Sequence, residues 1–407
     1  MDQVTAAMKQ YVVNSNEALE FKLVRRSEEL EDDQTTFKPA MSHQVFGDTE
    51  SIFGYKNLKI KLYYSAGSLE TYLGTSYSEK FDESLCADLK PDDFLPKLVN
   101  VLTPNVHENI DMFVKSLSYD ETFKPAGDLV YSCSVNDNGQ TRHFEVYKAD
   151  MSSTKFKEYH QRLQTFVLWY IDAGNFIDSN DIQWNYLNMF ERYTAEDNTI
   201  RYATVGFATI YHYWAYPELI RPRIAQLLIL PPFQKKGLGS HMLRAIYAEY
   251  KNNPNVKDIT VEDPSEEFQR IRDFVDCSLC MKLPSFFPEN LVKGFSTDMI
   301  HDAKEQFKIN KKQARRIYEI LRLKSTNVNS ESEFRDYRLN VKQRLNIPYK
   351  REQNDLARLR EVFKTDENKP GISLPMEEER MKILERDFKA LVEEYKKIIE
   401  RLNLSDE

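Results

Sequence analysis

Apolar positions change their period along this 407-residue chain, and the changes divide it into three stretches. Up to about residue 124, short alternating runs such as Lys59 to Ser65 (KIKLYYS) predict strands separated by polar turns. Asp92 and Asp93 there lead into helical spacing from Phe94 to Leu102. Between 125 and 280 the spacing predicts a helix over Tyr159 to Ile171, then strands over Trp184 to Tyr193 and Arg201 to Tyr216, separated by AEDN at 195–198. A short apolar strand, Ile224 to Leu230, follows and is closed by Pro231 and Pro232. Next come a helix over Leu238 to Tyr250, a strand over Asp258 to Val261 and a helix starting near Asp263. Asp263-Pro264-Ser265-Glu266 carries helix-start chemistry, with Asp as cap, Pro in the first turn and Glu behind it. This order predicts a mixed central sheet flanked by helices, an α+β core.

From residue 281 the pattern is helical and charged. Asn310 to Leu323 puts Ala314, Ile317, Ile320 and Leu321 on one face. A turn-rich break, DENKPGISLP at 366–375, precedes a last helix in which Met381, Leu384, Phe388, Leu391, Tyr395, Ile398 and Leu402 recur at steps of three and four. Such a heptad seam packs along another helix, either in a partner or in a hairpin with Phe334 to Phe363. The expected domains are therefore 1–124 (mixed α/β), 125–280 (core) and 281–407 (helical).

Composition narrows the class. Hydrophobic residues at 41% and aromatics at 12% support globular cores rather than disorder. A net charge of −8 disfavours a general nucleic-acid binder and suits a cationic substrate, though an acidic balance is also ordinary for a soluble protein. Four cysteines in so long a chain do not suggest a disulfide framework. Cys277 and Cys280 sit in an apolar helical stretch with no second pair nearby, so they read as buried thiols and no metal is expected. The start, MDQVTAAMKQYVV, lacks a secretory pattern, and no apolar run reaches membrane-spanning length, so neither secretion nor a membrane is expected.

The chemistry centres on Gln234-Lys235-Lys236-Gly237-Leu238-Gly239, directly after the strand ending at Leu230 and opening the next helix. Two glycines at a strand-to-helix turn let backbone approach a ligand, and the new helix presents free N–H groups to an anion. Lys235 and Lys236 add positive charge. The spacing matches neither a Walker loop nor a dinucleotide fingerprint.

Q-x-x-G-x-G in this position resembles the coenzyme-A loop of the GNAT superfamily of N-acetyltransferases. RPRIAQLLILPPFQKKGLG, DITVEDPS, FGDTESIFGYKNLKI, YKADM, EYHQRLQTF and INKKQARRIYEILRL resemble, more narrowly, the type B histone acetyltransferases, from near residue 46 to beyond residue 320. The resemblance implies a GNAT core and acetyl-CoA as cosubstrate, its diphosphate on the turn and its pantetheine arm along the backbone of Leu227, Leu228 and Ile229. It implies Glu262 as general base, with Asp263 and Asp172 as assisting carboxylates; the family more often has Glu at the position of Asp172. A base is needed because a lysine amine, with a pKa near 10.4, is mostly protonated at neutral pH. Paired carboxylates can raise one another's pKa.

Asp48, Thr49 and Glu50, and Tyr211, His212 and Tyr213, are implied to face the tail of histone four. Taken alone, the first three also fit a solvated turn after Gly47. Strand alternation puts the two tyrosines on one side and His212 on the other. The implied partners are that tail and a WD-repeat histone chaperone, in nucleus and cytoplasm. Lys311, Lys312, Arg315 and Arg316 fit either an import signal or a solvated helix face. Two other readings stay open: acetylation of small amines such as polyamines, and a histone-binding scaffold with an inactive core.

Overall fold

Near the chain start, alternating apolar positions build a small sheet from β1 (Leu19–Val24), β2 (Lys59–Ser65), β3 (Thr71–Ser76) and β4 (Val106–His107), in that spatial order. A short helix, α1 (His43–Phe46), lies between the first two strands in sequence. The structure is a computed structural model that describes residues 8–85, 89–102, 105–362 and 377–405. The expected turn at 366–375 lies outside these residues, as do Cys86 and Phe363.

The second sheet is a meander of five antiparallel strands with a sixth added in parallel. It runs β5 (Asp128–Asp137), β6 (Gln140–Ala149), β7 (Trp184–Thr194), β8 (Ile200–Ala215), β9 (Leu219–Ile229) and β10 (Thr260–Val261) in spatial order. Two residues, Asn138 and Gly139, both with positive φ, join β5 to β6. Asn-Gly is the residue pair such a tight hairpin favours. Helix α2 (Thr154–Leu163) precedes β7, and α3 (Leu238–Tyr250) is the crossover that makes β9 and β10 parallel.

These two sheets do not form separate bodies divided near residue 124. They belong to one compact unit ending at Asp263. The Thr204 N–H donates to Ala66 O at 2.6 Å, and Ala40 and Met41 both donate to Trp169 O. Phe21, Tyr64, Phe166 and Trp169 form a buried aromatic cluster between them, with Tyr64 and Phe166 centroids 4.6 Å apart.

A second unit begins at Pro264, so the helix expected to close the core belongs to the C-terminal part instead. That helix, α4 (Glu266–Cys280), is capped by Ser265, whose side chain accepts from the Phe268 N–H. Asp263 is not the cap; it holds a positive φ of 31° just before it. Cys277 and Cys280 are fully buried on α4, and burial pushes both thiols up. Beyond come α5 (Thr297–Phe307), α6 (Lys311–Ser325), α7 (Glu331–Leu345), α8 (Ile347–Val362) and α9 (Glu377–Ser405).

The heptad seam of α9 packs within the chain, against α4, α6 and α7. Leu384, Phe388, Tyr395, Ile398 and Leu402 are buried along it, while Met381 is exposed. The basic cluster on α6 divides. Arg315 bonds Glu319 and Asn340, and Arg316 bonds the buried Asp273, leaving Lys311 and Lys312 exposed.

Two outcomes are expected. A Cβ at Gly206 would stand 2.2 Å from the Leu228 carbonyl oxygen, a backbone atom that cannot step aside cheaply. Gly206→Ala should lower stability in urea unfolding by about 1–3 kcal/mol. His160 is 2% exposed, its ring nitrogens have no hydrogen-bond partner among the described residues, and burial pushes its pKa down to about 4 from 6.5. The unfolded chain therefore binds this proton more readily, and stability falls as pH drops from 6.5 towards 4, by roughly 3 kcal/mol from this residue. In melts across that range, His160→Phe should flatten the acid-side loss.

Candidate active site

Strand β9 carries the site because its pairing is incomplete. Its parallel ladder with β10 covers only Arg223 with Thr260 and Ile224 with Val261, and ends as Glu262 N–H donates to Ile224 O at 2.9 Å. Ala225 is an extra residue against β8, where the register slips between Thr209 and Ile210. A bulge bends a strand and can terminate pairing. Beyond it, 225–229 run on past β10 for roughly 17 Å at the usual rise. The Leu228 carbonyl faces Gly206 on β8, so the peptide groups of Leu227 and Ile229 turn to the edge that β10 has left. The Leu228 peptide groups face β8 instead.

At the far end of β9 the chain makes a single 3-10 turn over Pro231–Phe233 and enters α3. Lys235 has φ 61°, and Gly237, the N-cap of α3, has φ 79°. No side chain caps this helix, so its first N–H groups are presented to an anion. Gln234 turns back instead: its Nε2 donates to Ile229 O at 2.8 Å and closes the end of the free edge. Lys236 is paired with Asp137 at the β5–β6 turn, and Lys236 and then Arg142 hold that carboxyl below its ordinary range. The cradle therefore rests on backbone, with Lys235 exposed beside it.

Because β9 and β10 are parallel, Glu262 emerges at the same end of the sheet as this loop, where open α/β sheets bind ligands. Its side chain is half exposed, and its carboxylate lies 3.9 Å from Arg223. Arg223 lies over the Tyr213 ring at 4.5 Å; Tyr213 packs on Tyr211 at 4.7 Å, and Tyr211 on Trp184 at 4.9 Å. An aromatic wall thus leads across one face of the sheet to Glu262. The Tyr211 hydroxyl's hydrogen bond to Asp181 raises its pKa.

His212 is not part of that wall. It faces α3, its Nε2 2.8 Å from the Tyr250 hydroxyl and its Nδ1 3.3 Å from Asn185, and burial lowers its pKa.

The other expected residues divide as well. Glu50 is committed to the fold, accepting from Ser42 N–H at 2.6 Å, His43 N–H at 3.1 Å and the Asn16 amide at 2.7 Å. Ser42 first, with Asn16 and His43, holds its pKa down. Asp48 is exposed, and Thr49 bonds Ser51 at 3.0 Å. Asp172 is exposed, with His43 Nε2 at 3.1 Å. Asp263 is exposed beside Glu262. Glu262 lies within 4 Å of Arg223, and Asp172 within 4 Å of His43.

Three residues in contact with expected ones or with β9 escaped the sequence reading: His43, Arg223 and Gln226. Gln226 had a signal, being the single polar residue in IAQLLIL. It is buried, donating to Asn175 O at 2.8 Å and accepting from the Thr209 hydroxyl at 3.3 Å, so it fastens the segment after Asp172 onto β9. Separately, an open cleft lined by Arg25, Arg142, Glu191 and Arg201 contains none of the expected site residues.

Comparison with known proteins gives three family matches. They are the Histone acetyl transferase HAT1 N-terminus over residues 11–172, the Acetyltransferase (GNAT) family over 153–270 and the Histone acetyltransferase type B catalytic subunit, C-terminal, over 272–323. Among whole proteins, the histone acetyltransferase type B catalytic subunit of Homo sapiens is 44% identical over 404 residues, covering 98% of this chain and 95% of its own length. That of Mus musculus is 44% identical over 406 residues, covering 98% and 96%. One from Dictyostelium discoideum is 31% identical over 373 residues, covering 87% and 76%.

A Cβ at Gly237 would meet no protein atom within 4 Å, so within the protein itself only the left-handed backbone restricts the residue there. Gly237→Asn should bind acetyl-CoA nearly as the parent does, since Asn tolerates that conformation. Gly237→Val should cost about 1–2 kcal/mol of stability and weaken binding in calorimetric titration.

Proposed function

The chain belongs to the family of histone acetyltransferase type B catalytic subunits and is an acetyl-CoA-dependent acyltransferase, and on that premise we propose that it acetylates lysines in the N-terminal tail of free, newly synthesised histone four. The observation that carries this reading is the shared end of β9 and β10. An uncapped helix start, a free strand edge and the Glu262 carboxylate at one end of the sheet support it.

The residues fit the cosubstrate. The α3 N-terminus suits its diphosphate, and the edge at Leu227 and Ile229 suits the amides of an extended pantetheine arm as an added strand would. When bound, the thioester supplies an activated acetyl carbon and a thiolate leaving group. Glu262 takes the proton of the lysine ammonium, directly or through a water, so that the nitrogen can attack. A backbone N–H of the β9 edge stabilises the charge developing on the thioester oxygen. No covalent enzyme intermediate is required.

Tyr211, Tyr213 and Trp184 suit the aliphatic stem and glycine-rich backbone of a basic tail, and the exposed Asp48 attracts its cations. This wall is what favours a peptide over a small polyamine. The reading extends to work with a WD-repeat histone chaperone, ahead of chromatin assembly, in both cytoplasm and nucleus.

Glu262→Gln is the direct test. With a histone-four tail peptide, turnover should fall about 10²–10⁴-fold while acetyl-CoA affinity stays within about twofold. Unchanged turnover would remove Glu262 from the role of base, and a fall confined to free polyamines would point to the small-amine reading.

A further inference from the structure

A chain of charged side chains runs from the first sheet to the turn ahead of α3. Arg25, just past β1, donates to Glu191 on β7. Glu191 is buried and accepts from the Arg142 guanidinium of β6 on both oxygens, at 2.7 Å from Nε and 2.6 Å from Nη2. Arg142 Nη1 donates in turn to Asp137 at 2.8 Å, and Asp137 accepts from Lys236. Arg142 also lies over the Phe233 ring, 5.5 Å from its centroid. One guanidinium thus touches Phe233 directly and reaches Lys236 through Asp137.

Those two residues bracket the turn. Phe233 is buried at the end of the 3-10 turn, and Lys236 precedes Gly237, the N-cap of α3. Between them Lys235 holds a positive φ of 61°, which a residue with a side chain seldom adopts unaided. Asp137 is a firm support for the far side of the bracket, because it ends β5 at the Asn138-Gly139 hairpin and stays paired with Gln140. A partly exposed ion pair such as Lys236 with Asp137 adds little to overall stability, so folding alone is a weak reason for it. Shaping the turn is a better one.

We propose that Asp137 is a positioning residue for the diphosphate of acetyl-CoA: braced by Arg142, it holds Lys236, and with it the start of α3, in the cradle conformation before the cosubstrate arrives. A cradle set in advance binds more tightly than one that must first be ordered. A turn that keeps its shape only about a fifth of the time would raise the apparent Kd about fivefold. The proposal rests on the reading that the diphosphate lies at the start of α3. It gives Lys236 a use different from the one expected, as the held end of the turn rather than a free cation for the phosphates.

The test uses the full chain, the histone-four tail peptide and two acetyl donors: acetyl-CoA, and S-acetylpantetheine, which has the thioester and the arm but no diphosphate. Asp137→Asn should raise the acetyl-CoA Kd in calorimetry about fivefold or more. Its kcat at saturating acetyl-CoA should stay within about twofold, and its Tm within about 4 °C. Its kcat/KM for S-acetylpantetheine should also stay within about twofold, because that donor has nothing to place in the cradle. The sign is informative, since removing a negative charge near an anion site would by itself tighten binding. In a Lys236→Met background, Asp137→Asn should cause no further loss. Unchanged or tighter acetyl-CoA binding in Asp137→Asn, or equal losses with the two donors, overturns the proposal and leaves the diphosphate reading standing. A parent enzyme that uses S-acetylpantetheine as well as acetyl-CoA overturns both. If Asp137→Asn does not fold, Arg142→Lys decides: it keeps the charge but cannot reproduce the fork, and undiminished acetyl-CoA affinity there overturns the proposal.

Discussion

Two residue pairs, Arg223 with Thr260 and Ile224 with Val261, decide where everything else at the site can lie. Parallel pairing demands a crossover, and the crossover is α3. The start of that helix and the end of β10 must then meet at one end of the sheet. Had the ladder continued, the edge of β9 would be closed and Glu262 would be one more strand residue. The bulge at Ala225 accompanies the parting of the strands, and the peptide groups of Leu227 and Ile229 are left facing outward. An anion cradle, a strand edge and a carboxylate follow from one interrupted ladder.

Around that line, alternation sorts the side chains. Tyr211 and Tyr213 face one way with Arg223, and His212 faces α3. Arg223 links wall to carboxylate, stacked on Tyr213 and 3.9 Å from Glu262. Of the two loop lysines, Lys236 is paired within the protein, with Asp137, which also binds Arg142. Of the groups at the loop, the uncapped start of α3 and the exposed Lys235 are the ones left open to an anion.

Much of this was legible in the chain. The apolar run to Leu230, the glycines at 237 and 239 and the helical spacing to Tyr250 describe strand, turn and helix as they stand. The heptad seam of α9 was legible too, since Leu384 to Leu402 is a buried stripe. What was not legible depends on contacts distant in sequence. Glu50 looks like a turn carboxylate until Ser42 and Asn16 close on it. Asp263 resembles a cap by spacing, but Ser265 has the extended backbone and the hydroxyl that reach Phe268. The hairpin of β5 and β6 was overlooked although Asn138-Gly139 announces it, because its strands carry few large apolar residues. The division of the chain was hidden because β1 and β2 share an aromatic core with Phe166 and Trp169, which follow α2.

The central claim is that acetyl-CoA lies along the edge of β9 that β10 abandons, with its diphosphate at the start of α3. Hydrogen exchange of the full chain, read by mass spectrometry with and without acetyl-CoA, tests it most directly. Protection should appear in peptides covering Leu227 to Ile229 and Lys236 to Gly239, the amides that face the edge and the cradle. Protection confined to other segments, such as those around Arg25 and Arg142, with these two unchanged, would contradict the account.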